Sequence, residues 1–342
     1  VKLILKIKWL ALMGLAIVLC GCAPNNKVHS FSGSTMGTTY HIKAVFPVDA
    51  DIDPVMIQNK IEFSLERIND LMSTYRPNSE LSRFNKMQAG SMKVAPETAL
   101  VVAKALELYE LTSGSLDVSL GPLVNLWGFG PEKVPSVQPS LKQINQLKQD
   151  TGLHQLNLNG LSLTKKTPSL SIDLSSIAKG YGVDYVADII MAQGAEAYMV
   201  EIGGETKSYG SKPDGASWRI AIEKPELHTR DVALIIEPQN LAVATSGDYR
   251  NFVEYQGKRR SHIIDPRTGF PIEHHLASVT VLHPSCMVAD GLATSMMVMG
   301  TQAALKLANQ EHIAVMLIDK SQEKLKIIYS EAFKPFVKSL ES

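Results

Sequence analysis

A histidine able to move a proton near neutral pH heads a tightly turned polar segment, His262-Ile-Ile-Asp-Pro-Arg-Thr-Gly-Phe-Pro271, and general acid–base chemistry is the use such a placement suggests. Pro266 fixes its own φ and biases Asp265 toward extended backbone, Gly269 permits a conformation closed to other residues, and Pro271 restarts an extended run. A purely structural hairpin corner shows the same Pro and Gly, so the segment needs other polar groups before it means catalysis. Two further constellations supply them. In Asp290-Gly-Leu-Ala-Thr294 a carboxylate and a hydroxyl stand four residues apart on an expected helix, so both project from one face and could clip a hard metal ion. The alternative is an Asp that answers the helix dipole and a Thr that bonds back to a carbonyl. The rest of that helix is apolar (Met287, Val288, Leu292, Ala293, Met296, Met297, Met299), and a carboxylate in such company needs a neighbour that stabilises its charge. In Asp173-Leu-Ser-Ser-Ile-Ala-Lys-Gly-Tyr-Gly-Val-Asp184 the chain passes from strand to helix, with Ser175 or Ser176 placed as cap and Lys179 in the first turns. Helix starts attract anions, so this reads as a phosphate neighbourhood; a capped buried helix with Gly180 and Gly182 allowing close packing is the other reading. It is not a Walker loop, because its glycines follow the helix start.

The elements that must carry these groups follow from periodicity. Thr39 to Phe46 alternates as a strand, Asp53 to Asp70 and Glu97 to Thr112 recur with helical spacing, and Ser140 caps a polar helix running to Gly152. The Leu126-Trp-Gly-Phe-Gly-Pro131 loop between the last two helices is either a substrate rim or a packed Ω-loop. Strands are expected at Leu156 to Leu158, Leu161 to Thr164, Leu170 to Asp173, Ala197 to Ile202, Lys207 to Gly210, Trp218 to Ile222 and Ala233 to Pro238, with a helix from Ser176 to Gln193. More follow at Leu241 to Thr245, Asn251 to Tyr255, His262 to Asp265, Ala277 to Leu282, Ala314 to Asp319 and Leu325 to Tyr329, with helices from Ser285 to Met299 and Thr301 to Asn309. There is no steady βαβ rhythm and hairpin-sized spacings are common, which favours an α+β fold over a doubly wound sheet.

Bulk properties narrow the function classes. The 342 residues are enough for a sizeable core, and 34 Lys plus Arg balance 34 Asp plus Glu, so no broad basic surface for nucleic acid is expected. Residues 1–22 read as an export signal: Lys2, Lys6 and Lys8 precede a short apolar run, Leu10 to Leu19, and Leu19-Cys20-Gly21-Cys22 resembles a bacterial lipobox with Cys22 as the lipidated residue. That run falls short of the ~20 residues of a comfortable membrane span. Residues 23–30 follow as a polar linker and 31–342 as the domain. Beyond Cys22 only Cys286 remains. No internal disulfide is expected, and a metal would be held by oxygen or imidazole, which suits Mg²⁺, Ca²⁺ or Mn²⁺.

Seven blocks in order resemble the bacterial ApbE family, the FAD:protein FMN transferases once called thiamine biosynthesis lipoproteins. They are Gly33-Ser-Thr-Met-Gly-Thr-Thr-Tyr40, Leu71-Met-Ser-Thr-Tyr75, Leu116-Asp-Val-Ser-Leu-Gly-Pro122, Asp173-Leu-Ser-Ser-Ile-Ala-Lys-Gly180, Gly203-Gly204, His262-Ile-Ile-Asp-Pro-Arg-Thr-Gly269 and Ala289-Asp-Gly-Leu-Ala-Thr294. Some members carry Gly-Glu where this chain has Ala178-Lys179. The resemblance implies a single large α+β domain related to the T-fold, with mixed, mostly antiparallel sheets and flanking helices. It implies FAD along Met36, Tyr75, Leu116, Asp117, Val118, Asp173, Lys179 and Ile264, and Mg²⁺ held by Asp290, Thr294 and an oxygen from about Ser176. The implied reaction passes FMN from FAD to a Thr or Ser hydroxyl of a target flavoprotein and releases AMP, with His262 as first candidate for the base and Asp290 as second. An FAD pyrophosphatase and a non-catalytic FAD-binding lipoprotein are the alternatives. The acceptors implied are subunits of Na⁺-translocating NADH:quinone reductase or of related Rnf-type complexes. Such partners reside in the inner membrane, and there a periplasmic, lipid-anchored enzyme is expected.

Overall fold

The computed structural model describes residues 26–131, 137–226, 231–248, 252–255, 257–321 and 324–338. The signal segment and Cys22 lie outside them. Fifteen strands and nine helices are described. The strands are β1 (Lys27–Thr35), β2 (Thr38–Phe46), β3 (Gly90–Lys93), β4 (Leu156–Asn159), β5 (Ser162–Lys165), β6 (Ala197–Ile202), β7 (Glu205–Tyr209), β8 (Ile220–Glu223), β9 (Val232–Ile236), β10 (Ala242–Gly247), β11 (Phe252–Tyr255), β12 (Lys258–Ser261), β13 (Leu276–His283), β14 (Ala314–Asp319) and β15 (Lys326–Tyr329). The helices are α1 (Pro54–Met72), α2 (Glu80–Lys86), α3 (Pro96–Leu111), α4 (Gly121–Leu126), α5 (Leu141–Lys148), α6 (Ala178–Ala192), α7 (Cys286–Met299), α8 (Thr301–Gln310) and α9 (Lys334–Lys338).

Eight strands form one sheet in the order β1-β2-β6-β7-β10-β13-β14-β15, and every neighbouring pair in it is antiparallel. A three-stranded sheet, β3-β5-β4, and the hairpins β8-β9 and β11-β12 complete the strands. The expected α+β class with mostly antiparallel sheets is thus the observed one. Helices α6 and α7 pack on each other and on the central strands, and α1 packs outside α6. The alternation of β2 turns Tyr40, Ile42 and Ala44 into a core shared with Ile57, Ile61 and Leu65 of α1 and Val183, Val186 and Ile190 of α6. The apolar face of α7, including Leu292, Met296 and Met297, joins Val279 and Val281 of β13 with Val315 and Leu317 of β14 in the main core.

Four local expectations are corrected. The stretch read as linker already enters β1 at Lys27, whose residues pair with β2 from Lys27↔Phe46 to Thr35↔Thr38. Leu170 to Asp173 forms no strand: Asn85 takes both backbone groups of Ile172, at 2.8 and 2.9 Å, Lys165 Nζ donates to the Leu170 carbonyl at 3.0 Å, and the Asp173 N–H donates to the Val118 carbonyl at 2.7 Å. Side chains have satisfied what a ladder would otherwise satisfy. His262 to Asp265 makes only one bridge, Ile264↔Pro271, because the turn closes immediately beyond it. Helix α6 starts at Ala178, later than Ser176, and neither Ser175 nor Ser176 caps it; Asp173 Oδ1 instead accepts the Ser175 N–H at 2.9 Å in a turn before the helix.

Candidate active site

A cavity of about 1400 Å³ opens where the β1-β2 turn, the end of α1, the 115–120 segment, the start of α6, the 262–264 segment and α7 converge. It is larger than the ~300–1,000 Å³ of typical small-ligand sites, with room for a dinucleotide. Met36, Tyr75, Leu116, Asp117, Asp173, Ser176, Lys179, His262, Ile264, Asp290 and Thr294, which are scattered along the sequence, all line it. Val118 is the exception: its side chain is buried in the main core, and its contribution is the carbonyl that receives the Asp173 N–H.

Each residue is held by its own local physics. Met36 and Gly37 form the two-residue turn of the β1-β2 hairpin, both with positive φ, 50° and 73°. A left-handed Met costs roughly 1–2 kcal/mol relative to Gly, and its thioether end packs over α6, where a methyl on Gly182 would come within 3.1 Å of Met36 Cε. Tyr75 is 66 % exposed at the mouth, with its hydroxyl donating to the Phe129 carbonyl at 3.2 Å. Phe129 also stands edge-on to the His262 ring, centroids 6.3 Å apart. The aromatic loop is therefore a packed loop behind the cavity wall and not its rim. Trp127 is fully buried and donates from Nε1 to the Gly269 carbonyl at 2.9 Å, while Phe129 touches two cavity-lining residues, Tyr75 and His262. The turn after His262 is pinned by its own residues: Gly269 has φ 75° and donates to the Asp265 carbonyl, and the Asp265 carboxylate takes the Arg267 guanidinium through two bonds of 2.9 Å. Asp265 is thus a structural brace for His262 and Ile264. Asp117 accepts the Ser119 N–H at 2.8 Å, and burial pushes its carboxyl above the usual range.

The charged heart of the cavity lies between α6 and α7. Asp290 is 3 % exposed; its Oδ2 accepts the Gly180 N–H at 2.9 Å, and its Oδ1 stands 3.6 Å from Lys179 Nζ. Lys179 also faces Glu205 Oε1 at 3.4 Å. Burial raises the carboxyls of both acids, that of Glu205 to about 8, and the two acids together offset the burial of Lys179 and hold its ammonium above the ordinary lysine value. Thr294, one turn along α7 from Asp290, shares a hydrogen bond of 3.1 Å with Ser246. The two helices meet this closely because Gly180 has no side chain: a Cβ there would lie 2.4 Å from the Cys286 carbonyl oxygen and 2.8 Å from Asp290 Cβ. Asp184, five residues along α6 from Lys179, holds the start of α7 through the Ser285 hydroxyl at 2.7 Å and the N–H groups of Cys286 and Met287 at 3.0 Å. Glu205, Ser246 and Arg76 are cavity residues that residue-by-residue reading of the sequence did not single out. Only for Glu205 was there a signal, its place directly after the Gly203-Gly204 pair.

Among the described residues no three His, Cys, Asp or Glu side chains converge on a metal position. What α7 offers the cavity is the buried Asp290 carboxylate, with an oxygen engaged only by a long ion pair, and the Thr294 hydroxyl one turn away. That donor set suits a hard cation that completes its shell with water and phosphate oxygens.

The site thus sits in an antiparallel α+β domain, as a dinucleotide-sized cavity with a lysine and two acids in its wall. The profile of the ApbE family matches residues 36–317, and this chain belongs to the ApbE family. It is 50 % identical over 331 residues to the FAD:protein FMN transferase of Vibrio cholerae, covering 96 % of this chain and 98 % of that protein. It is 43 % identical to the enzyme of the same name from Haemophilus influenzae, covering 96 % and 97 %. Among solved structures, the flavin transferase ApbE of Vibrio cholerae superposes with a TM-score of 0.85 at 50 % identity, over 91 % of this chain and 99 % of that one. The apo flavinyl transferase ApbE of Pseudomonas stutzeri gives 0.84 at 40 % identity, over 91 % and 97 %.

Proposed function

We propose that this protein is an FAD:protein FMN transferase: it joins FMN from FAD through a phosphoester to a Thr or Ser hydroxyl of a target flavoprotein and releases AMP. The observation that carries the reading is the buried Lys179-Asp290 pair on the wall of a cavity large enough for FAD, in a chain 50 % identical to a protein of that name. Asp290 and Thr294, with an oxygen from about Ser176, would hold Mg²⁺. When bound, the ion neutralises the pyrophosphate and stabilises the departing AMP.

The remaining work belongs to the chain's own residues. Lys179 presents a cation to phosphate oxygens, Met36, Leu116 and Ile264 give apolar surface for the rings, and Tyr75 offers an aromatic face at the mouth. Asp117 and Asp173, fixed by backbone N–H bonds, supply acceptors for the donors of the nucleotide. His262, braced by its turn and by Phe129, takes the proton of the acceptor hydroxyl, with Asp290 the second candidate. Cys22 carries the lipid, and the domain works in the periplasm at the inner membrane. Its acceptors there are subunits of Na⁺-translocating NADH:quinone reductase or Rnf-type complexes.

The test is to incubate the protein lacking residues 1–22 with FAD, Mg²⁺ and a periplasmic acceptor domain, and to measure acceptor mass and free AMP. One added FMN per acceptor with matching AMP is expected. AMP without a mass gain would make it a pyrophosphatase, and bound FAD with neither product would make it a carrier.

A further inference from the structure

Glu205, the first residue of β7, is 4 % exposed on the cavity wall, and its Oε2 is buried with no hydrogen-bond partner. Leaving a buried polar atom unpaired costs about 1–3 kcal/mol, and more for a charged group. Such a cost is tolerated where another state of the site uses the atom. The neighbouring lysine indicates which state. Lys179 Nζ lies 3.4 Å from Glu205 Oε1 and 3.6 Å from Asp290 Oδ1. Both separations exceed the ~2.7–2.9 Å of a tight charge-assisted bond, so the ammonium is shared between the two acids and committed to neither. Asp290 is anchored through Oδ2 by Gly180, which leaves Oδ1, the oxygen facing Lys179, as the one a cation would take.

We propose that Glu205 is a positioning residue for a divalent cation at Asp290: when Oδ1 turns to the cation, Lys179 moves onto Glu205, whose unpaired oxygen completes its hold on the ammonium. The proposal rests on the reading of Asp290 as a metal ligand. A doubly charged ion and an ammonium cannot share one carboxylate oxygen in a buried wall without strong repulsion. Burial alone would keep Glu205 protonated, but the ammonium brought onto it favours its ionised form, and ionised Glu205 supplies the second negative charge that lets both stay. Without it, the only carboxylate left to Lys179 is the one the cation requires.

Titrating the purified protein with Mn²⁺ in the absence of FAD, with free ion counted by its electron paramagnetic resonance signal, reads this without any turnover. Glu205→Gln is expected to weaken Mn²⁺ binding roughly ten- to hundredfold, the order of one unit charge a few ångströms from the ion at an effective dielectric near 20 to 40. Lys179→Met is expected to bind at least as tightly as the wild type, and the two changes together to return affinity to near the wild-type value. Unchanged affinity in Glu205→Gln would overturn the proposal. So would a double variant as weak as Glu205→Gln alone, since the effect would then be damage to the fold. A Lys179→Met protein that loses the ion would also overturn it, and this arm stands even if Glu205→Gln does not fold. Asp290→Ala separates the two claims. Binding equal to wild type there sinks the metal reading itself, whereas loss there with no change in Glu205→Gln sinks only the role of Glu205.

Discussion

Asp290 combines two properties that rarely coincide in one side chain: it is almost wholly buried, and one of its oxygens is engaged only by a long ion pair. Burial raises its carboxyl and that of Glu205. His262 sits in a different setting, half-buried and bordered by an aromatic edge, and its proposed task is proton transfer alone. His262→Ala should therefore keep FAD affinity, measured by quenching of flavin fluorescence, and lose about 10²- to 10⁴-fold in transfer rate. Normal transfer by that variant from pH 6 to 9 would remove His262 from the base role. The residues whose types are unusual for their surroundings, a carboxylate in a Met-rich helix or a His before a Pro-Gly turn, could be picked out from sequence. Glu205 carried only the faint signal of its place after Gly203-Gly204, because a single acid in a strand is ordinary until the fold puts it beside Lys179.

At the scale of elements, the site is a consequence of how closely α6 approaches α7. Gly180→Ala should force that contact apart, since the new methyl would meet a backbone carbonyl at 2.4 Å. The expected cost is about 1–3 kcal/mol in urea unfolding together with weaker metal-dependent activity; a variant as stable and active as wild type would contradict the packing argument. A second junction, between α1 and α3, is electrostatic. The Arg67 guanidinium pairs with Glu97 through bonds of 2.6 and 3.1 Å and holds that carboxyl below the usual range. A carboxyl lowered in the folded state adds stability that is present above its unfolded value, near 4.3, and is lost as pH falls through the folded value. Glu97→Gln should thus flatten the acid limb of the stability curve below about pH 5. At pH 7 it should cost only about 0.2–1 kcal/mol, because Arg67 is 44 % exposed. Urea midpoints across pH would show an unchanged acid limb if the pair contributes nothing. Long periodic helices such as α1, α3 and α7 were legible in the sequence to within a few residues. The 170–173 segment was not, because its extended pattern is satisfied by Asn85 and Lys165, distant side chains that periodicity does not register.

For the whole molecule, an eight-stranded antiparallel sheet brings residues from 36 to 294 around one cavity. The α+β class was legible from hairpin-sized spacings, while the order of the strands was not, since β10 pairs with β7 and β13 across long intervening segments. If the cavity transfers FMN as proposed, Asp290 is needed for the transfer but not for holding FAD. The most direct measurement is the intact mass of an acceptor domain incubated with FAD, Mg²⁺ and either the wild-type protein or Asp290→Ala, with FAD binding checked in parallel. One FMN per acceptor is expected from the wild type, and from Asp290→Ala none within the same time, although that variant still binds FAD. Acceptor labelled by Asp290→Ala at the wild-type rate would contradict that requirement.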